Sequence, residues 1–179
     1  VGVESSKTTA KIANDAGVPT VNKFFNLETM HDILAERNGK KFDVFNASGV
    51  FFHLEELHSV CQAIKAGLAE DGVFVVQFLY MKSIMENLAF DQIYHEHLLY
   101  YTLKTVEVLL NRHGLSMFDA RLATIHGGSI IGYVGHAGKR VASAQLAEMR
   151  EEEEKSGCNT LAAYLDFAER IKKMKEENL

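Results

Sequence analysis

The chain has 179 residues, of which 47% are hydrophobic and 24% are charged, as is usual for one globular domain. Its net charge of −5 offers no general attraction to nucleic acid or to an anionic membrane. No apolar run is long enough to cross a bilayer, and the two cysteines are too few for a disulfide framework. We therefore expect a cytosolic protein that binds neither nucleic acid nor membrane.

Strand and helix patterns alternate over the first half of the chain. Apolar runs predict strands at 1–3, 20–25, 42–47 and 73–78, and the segments between them have the 3.6-residue spacing of amphipathic helices. Serine and asparagine residues precede these helices as N-caps, and glycines end them. Strands separated by helices of roughly 10–15 residues predict βαβ units and a parallel sheet.

The pattern changes after the fourth strand. Residues 79–101 are aromatic and polar without a clear period, which indicates a long functional loop. A helix capped by Thr102 follows, and 117–123 and 129–136 then predict an antiparallel strand pair at the sheet edge. The final helix is predicted to be capped by Asn159.

The composition divides the chain near residue 138. We interpret 1–138 as a partial catalytic core and 139–179 as connector helices leading toward a C-terminal domain. The acidic run 151–154 is interpreted as a solvated helix face or a break. Because the first residues already have a strand pattern, we expect the chain to begin inside a longer fold.

Two strand ends offer groups for a cofactor. Glu4 follows the first strand, where a carboxylate can accept both hydroxyls of a ribose, although many strands end in a surface acid. Asn46, Ala47 and Ser48 end the third strand, and small residues there let a bulky cofactor approach the backbone. His53 follows, either as an active-site group or as an incidental surface residue.

The densest set of reactive side chains is Tyr94, His95, Glu96, His97 and Tyr100. Histidine is the most common general base near neutral pH, a carboxylate can fix its tautomer, and a tyrosine hydroxyl can hold a sugar hydroxyl or an enolate oxygen. Three interpretations remain open: a proton-transfer site, a structural polar cluster, or a metal site in which His95 and His97 share one face of an extended segment.

The segment His126, Gly127, Gly128 and Ser129 joins the last two predicted strands. Paired glycines permit positive φ and a close approach of a ligand to the backbone. The same pattern is typical of a plain hairpin turn, so both interpretations remain open.

Taken together, these motifs resemble the sugar C-methyltransferases. The resemblance lies in 91–98 (DQIYHEHL), 100–102 (YYT), 126–129 (HGGS) and His136, and it extends over nearly the whole chain. Members methylate C3 of thymidine-diphosphate-linked 4-keto-deoxysugars with S-adenosylmethionine. The resemblance therefore implies this cofactor, a nucleotide-sugar substrate and an enolate mechanism that needs no metal.

The resemblance also implies residue roles. His97 matches the catalytic base, Tyr94 and Glu96 match groups that bind the sugar and orient the base, and His53 matches a further active-site histidine. Spacing alone does not choose between His95 and His97; the resemblance favours His97. Glu4 matches the acid that holds the cofactor ribose. The other candidates are assigned to the cofactor (Asn46, Ala47 and Ser48) and to the substrate (His95, Tyr100, His126, Gly127, Gly128 and Ser129).

The implied fold is a Rossmann-like class I methyltransferase sheet, mainly parallel with an antiparallel edge pair. Members also have a zinc-binding N-terminal segment, a first strand with a glycine-rich loop, and a C-terminal domain, none of which we expect in this chain. We therefore expect an interrupted sheet centre and weak or absent binding of S-adenosylmethionine by these residues alone.

Other functions remain open. One is methylation of oxygen or nitrogen by the same fold, and a second is a metal-dependent hydrolase or isomerase that uses His95, His97, His126 and Glu96. A third is a non-catalytic fold fragment that mediates assembly. The sequence leaves open whether the protein forms a homo-oligomer.

Overall fold

The computed structural model describes residues 1–178, which form an α/β fold. Its strands are β1 (Gly2–Val3), β2 (Thr20–Val21), β3 (Phe42–Ala47), β4 (Leu68–Leu79), β5 (Leu115–Ala123) and β6 (Ser129–His136). Its helices are α1 (Lys7–Asp15), α2 (Leu27–Glu36), α3 (Leu57–Gly67), α4 (Met81–Glu86), α5 (Leu103–Arg112), α6 (Ala144–Ser156) and α7 (Leu161–Glu177).

The strands form two separate sheets. β1 pairs with β2 in parallel, whereas the larger sheet has the order β3–β4–β6–β5. Within it β3 and β4 are parallel, and β6 is antiparallel to both β4 and β5. The α/β class and the antiparallel pair at one edge are confirmed.

The expected interruption of the sheet lies between β1 and β3. These two strands belong to different sheets, so no ladder of hydrogen bonds joins them. Residues of both strands line a common cavity of about 310 Å³. The cavity wall is apolar and includes Val3, Phe45 and Ala47. Val44 on β3 remains 63% exposed beside it.

Side-chain caps set the starts of several helices. Ser6 accepts a hydrogen bond from the N–H of Thr9, and Asn26 accepts one from Thr29, as predicted. Thr102 forms a reciprocal capping box with Thr105 at the start of α5.

The predicted cap of the last helix is wrong. Thr160 caps α7, because the amide of Asn159 is engaged elsewhere. Its Oδ1 accepts a hydrogen bond from Thr102 at 2.7 Å, and its Nδ2 donates to Glu153 at 3.1 Å. Contacts with residues distant in sequence therefore override the local capping preference.

Three further segments differ from the sequence prediction. β2 covers two residues rather than 20–25, and β4 begins directly after α3 instead of at residue 73. Within 79–101, α4 and a 3₁₀ turn at Phe90–Gln92 interrupt the expected loop. The six residues of α4 are too few to show a helical period, although Met81, Ile84 and Met85 are buried.

The hydrophobic core lies on both faces of the larger sheet. Phe78 and Leu79 are neighbours on β4 whose side chains point to opposite faces, and both are 0% exposed, as expected for a strand end covered on both sides. Cys61 and Cys158 are buried free thiols, and burial raises the pKa of the Cys61 thiol to about 12. The cysteines are therefore core residues rather than reactive groups.

Candidate active site

Three chain segments converge at the carboxyl ends of β3 and β4. A 3₁₀ turn at Phe51–His53 follows β3, and the segment 80–101 follows β4. Ser129, the first residue of β6, pairs with Leu79, the last residue of β4, so the turn before β6 lies at the same edge. The topology thus brings together histidines that are far apart in sequence.

His97 is the most buried of the candidate site residues that can act as a base. It is 5% exposed, and its Nδ1 lies 2.8 Å from the carbonyl oxygen of Gln92. A carbonyl can only accept, so Nδ1 carries the proton and Nε2 carries the lone pair. Burial lowers the pKa of His97, and the neighbouring His53 and His126 lower it further. The imidazole is thus held neutral with one basic nitrogen available.

Aromatic rings enclose His97. The centroid of the Tyr94 ring lies 4.2 Å from that of His97, and the Phe52 ring, nearly perpendicular to the imidazole, lies 4.8 Å away. The rings of His53 and His126 lie at centroid distances of 5.2 Å and 6.2 Å from His97. These rings leave the imidazole with little room to rotate, so its basic nitrogen has a defined direction.

His53 is fixed in the same way as His97. Its Nδ1 donates to the carbonyl oxygen of Glu96 at 2.5 Å, which again leaves Nε2 with the lone pair. The backbone N–H groups of Leu98 and Leu99 donate to the carbonyl of Phe52. These bonds lock the turn after β3 to the segment that carries His97.

The structure corrects two expectations about 94–97. This segment turns, with the N–H of His97 donating to the carbonyl of Tyr94, so His95 and His97 do not share one face. His95 is exposed and lies beside the Tyr94 ring, 5.8 Å away. The carboxylate of Glu96 is also exposed, so backbone carbonyls rather than a side-chain acid fix both imidazole tautomers.

Tyr100 completes the inner wall of the cluster. Its hydroxyl donates to the carbonyl of Gln92 at 3.2 Å, the same oxygen that accepts from His97. Burial raises the pKa of Tyr100. The hydroxyl therefore stays protonated and supports the carbonyl that orients His97.

The turn before β6 has the positive φ angles that its glycines predict. φ is 55° at His126, 69° at Gly127 and 126° at Gly128. A Cβ on Gly128 would meet the Cβ of Ser83 in α4 at 2.2 Å. Gly128 therefore lacks a side chain both because its φ is positive and because α4 packs against it. The glycines let His126 approach the cluster.

The candidate cofactor residues lie at or just after the ends of β1 and β3. Glu4 follows β1, and its Oε1 accepts a hydrogen bond from the N–H of Ser6 at 2.7 Å. Asn46 and Ala47 line the cavity from β3, and the Ser48 hydroxyl donates to Asn46 at 3.0 Å. The two halves of this set are thus carried by strands that are not paired with each other.

Sequence comparison finds two similarities to known proteins. Residues 124–179 match the model of the C-methyltransferase C-terminal domain. The chain is also 35% identical over 169 residues to the C-methyltransferase NovU of Streptomyces niveus, covering 94% of this chain and 40% of that protein. Both comparisons thus relate this chain to C-methyltransferases. The chain spans less than half the length of this curated relative.

Solved structures of methyltransferases resemble this chain in fold. A SAM-dependent methyltransferase from Anabaena variabilis superposes with a TM-score of 0.54 over 75% of this chain and 67% of that chain, at 13% identity. PKMT2 from Rickettsia typhi gives 0.57 over 83% of this chain and 46% of that chain, at 11% identity. The N-methyltransferase NodS from Bradyrhizobium japonicum superposes with a TM-score of 0.50 over 75% of this chain and 71% of that chain, at 12% identity.

The alternative of a metal-dependent hydrolase or isomerase can be compared with the geometry of the site. Within residues 1–178, no group of three or more His, Cys, Asp or Glu side chains is arranged to hold a metal ion. His97 is also buried whereas His95 is exposed, so the pair on which the hydrolase alternative depends does not share one face. No helix in the described part of the chain is long and apolar enough to cross a membrane.

Sequence reasoning missed two residues of the candidate site. Phe52 was not among the predicted site residues, yet its ring lies beside those of His53, His97 and His126. Gln77 is 2% exposed and bonds to segments on both sides of the cluster. An amide within the apolar run 73–79 was the available signal, because a buried amide requires partners.

Proposed function

We propose that the intact protein transfers a methyl group from S-adenosylmethionine to a carbon of a nucleotide-linked keto-deoxysugar, through an enolate formed by His97. The observation that carries the proposal is the environment of His97: a buried neutral imidazole with a fixed tautomer and a lowered pKa. Perturbed titrating groups in an enclosed cluster are characteristic of catalytic sites.

The chemistry of the substrate explains why a base is needed. A carbon next to a ketone loses a proton when the resulting charge is delocalised onto the carbonyl oxygen. His97 takes that proton on Nε2, because Nδ1 already donates to Gln92. The base then becomes an imidazolium whose Nδ1–H still points at a carbonyl oxygen, which stabilises its charge.

Tyr94 is the donor best placed to stabilise the enolate oxygen. Its ring packs on His97 and is 44% exposed, so it lies between the base and the open side of the site. A phenol hydroxyl donates a hydrogen bond without changing its own charge. His53, Glu96, His126 and Tyr100 remain candidates for holding the sugar hydroxyls.

The residues at the ends of β1 and β3 fit one half of the cofactor. Glu4 is half-buried at a strand end, where a carboxylate is suited to ribose hydroxyls, and Asn46, Ala47 and Ser48 give small side chains at the opposite strand end. When bound, the cofactor supplies an electrophilic methyl group on a sulfonium centre. The chain supplies the base, the enolate donor and the exclusion of water. A soluble nucleotide-sugar substrate agrees with a cytosolic location.

A product assay tests the proposal. The intact protein is incubated with S-adenosylmethionine labelled with ¹³C at the methyl group and with a thymidine-diphosphate-linked 4-keto-deoxysugar. We expect carbon-bound methyl product by NMR, and none from the matched 4-hydroxy sugar, whose C3 proton is not acidic. A methyl group on oxygen or nitrogen would instead favour the other methyltransferase class.

A further inference from the structure

Gln77 joins two loops that hold different parts of the candidate site. Its Oε1 accepts a hydrogen bond from the backbone N–H of Gly49 at 2.6 Å. Its Nε2 donates to the hydroxyl of Ser129 at 2.9 Å. Gly49 lies between the candidate cofactor residues of β3 and His53, whereas Ser129 ends the turn that carries His126.

The direction of this hydrogen-bond chain is fixed at both ends. The N–H of Gly49 can only donate, so the amide must present its oxygen there and its nitrogen to Ser129. The Ser129 hydroxyl then donates to the carbonyl of Ile125 at 2.9 Å. Each bond thus determines the orientation of the next, from the Gly49 loop to the His126 turn.

Burial makes the chain of bonds rigid. Gln77 and Ser129 are 2% and 0% exposed, so no water competes for their polar atoms. Gly49 has φ of 67°, a conformation that its bond to Gln77 helps to hold. The loop and the turn therefore keep a fixed separation, and the rings that they carry, His53 and His126, lie 5.2 Å and 6.2 Å from the His97 ring between centroids.

We propose that Gln77 is a positioning residue that sets the cofactor-side loop and the substrate-side turn relative to each other. This inference rests on the proposed function, because the two loops are assigned to cofactor and sugar there. Gln77 touches neither of the reacting molecules and acts through Gly49 and Ser129. A misplacement of about 1 Å between reacting groups costs roughly 10²-fold in rate.

Three variants of the intact protein separate positioning from simple stability. Gln77→Met removes both hydrogen bonds, and we expect kcat to fall about 10- to 100-fold with a raised KM for S-adenosylmethionine. Gln77→Glu still accepts a hydrogen bond from Gly49 but cannot donate one to Ser129. Ser129→Ala removes the hydrogen bonds of the Ser129 hydroxyl and keeps the bond between Gln77 and Gly49. Both should lower kcat while the cofactor KM stays near wild type. Gln62→Met, an exposed glutamine on α3, is the matched control and should change neither.

Equal losses of kcat in the three variants without the split in cofactor KM would overturn the proposal. A second measurement needs no substrate. In ¹⁵N NMR of the histidine rings, Gln77→Met should shift His53 and His126 and leave His136, at the other end of β6, unchanged. Unshifted His53 and His126 rings would overturn the coupling. A wild-type protein that makes no methylated carbon would refute the proposed function while the NMR result still decides the role of Gln77.

Discussion

The β1–β2 unit and the four-stranded sheet differ sharply in how they are supported. β1 and β2 pair over two residues each, and Ala10 is the buried residue of the helix between them. In the larger sheet β6 pairs on both sides along its length, and β4 contributes fully buried aromatic side chains. The histidine cluster sits on the well-supported sheet, whereas half of the candidate cofactor site depends on the other.

The largest expected effect is on cofactor binding by residues 1–179 alone. Glu4 follows β1 and the Asn46–Ser48 segment spans the end of β3; these strands share a cavity but belong to different sheets, so no backbone pairing sets the separation of the two groups. We expect weak or no binding of S-adenosylmethionine by titration calorimetry. A dissociation constant tighter than about 1 µM, equivalent to roughly −8 kcal/mol, would show that the two regions already form a complete site.

A second prediction compares one phenylalanine from each region. Phe52 is 1% exposed beneath the histidine cluster, whereas Phe24, in the segment after β2, is 76% exposed. Phe52→Ala should lower the free energy of unfolding by about 3–5 kcal/mol, since it removes a buried ring. Phe24→Ala should change it by less than about 0.5 kcal/mol. Urea unfolding of both variants tests the contrast, and equal losses would contradict it.

A third prediction concerns the attachment of α6 to the start of α5. The carboxylate of Glu153 is 2% exposed and accepts hydrogen bonds from the N–H groups of Leu103, at 2.6 Å, and Lys104, at 2.9 Å. Glu153→Ala leaves these N–H groups at the start of α5 unpaired and should cost about 2 kcal/mol. Glu152→Ala, its exposed neighbour, serves as the control in thermal unfolding. A loss as small as that of the control would mean that Glu153 does not hold α6 in place.

The smallest expected effect is the pH dependence that His97 confers. Its pKa is lowered in the fold, so the unfolded chain binds more protons between that pKa and the ordinary value of about 6.5. Stability from this group is therefore present above about pH 6.5 and is lost as pH falls through the folded pKa. The acid limb of kcat/KM should lie below pH 6.5 for the same reason.

His97→Gln should remove this contribution to the pH dependence of stability, and His31→Gln, on the exposed face of α2, should not. Unfolding measured between pH 5 and 8 compares the two variants with wild type. An acid limb of kcat/KM above pH 6.5 in the wild type would contradict the lowered pKa.

The sequence predicted the larger elements because their signals are local. The caps Ser6, Asn26 and Thr102 lie next to the periodic segments that they start, and the glycine pair before β6 identifies its own turn. The errors arose where distant contacts decide. Glu153 was interpreted as part of a solvated or broken run, yet it reaches α5 across fifty residues of chain.

The candidate site could be predicted in composition but not in arrangement. The resemblance named His53, Tyr94 and His97, and the sheet topology brings them together. An extended segment was assumed for 94–97, so the exposed position of His95 was not foreseen. The role of Gln77 requires the pairing of β4 with β6, which one strand's sequence does not contain.

Proton exchange at the sugar carbon tests the central claim most directly. The intact protein is incubated in deuterated water with the keto-sugar and without a methyl donor, and deuterium at C3 is followed by NMR. We expect exchange by the wild type, a loss of roughly 10²–10⁴-fold in His97→Ala and a milder loss in His95→Ala, with cofactor affinity nearly unchanged. Exchange by His97→Ala at the wild-type rate would contradict the account and transfer the role of base to His53 or Tyr94.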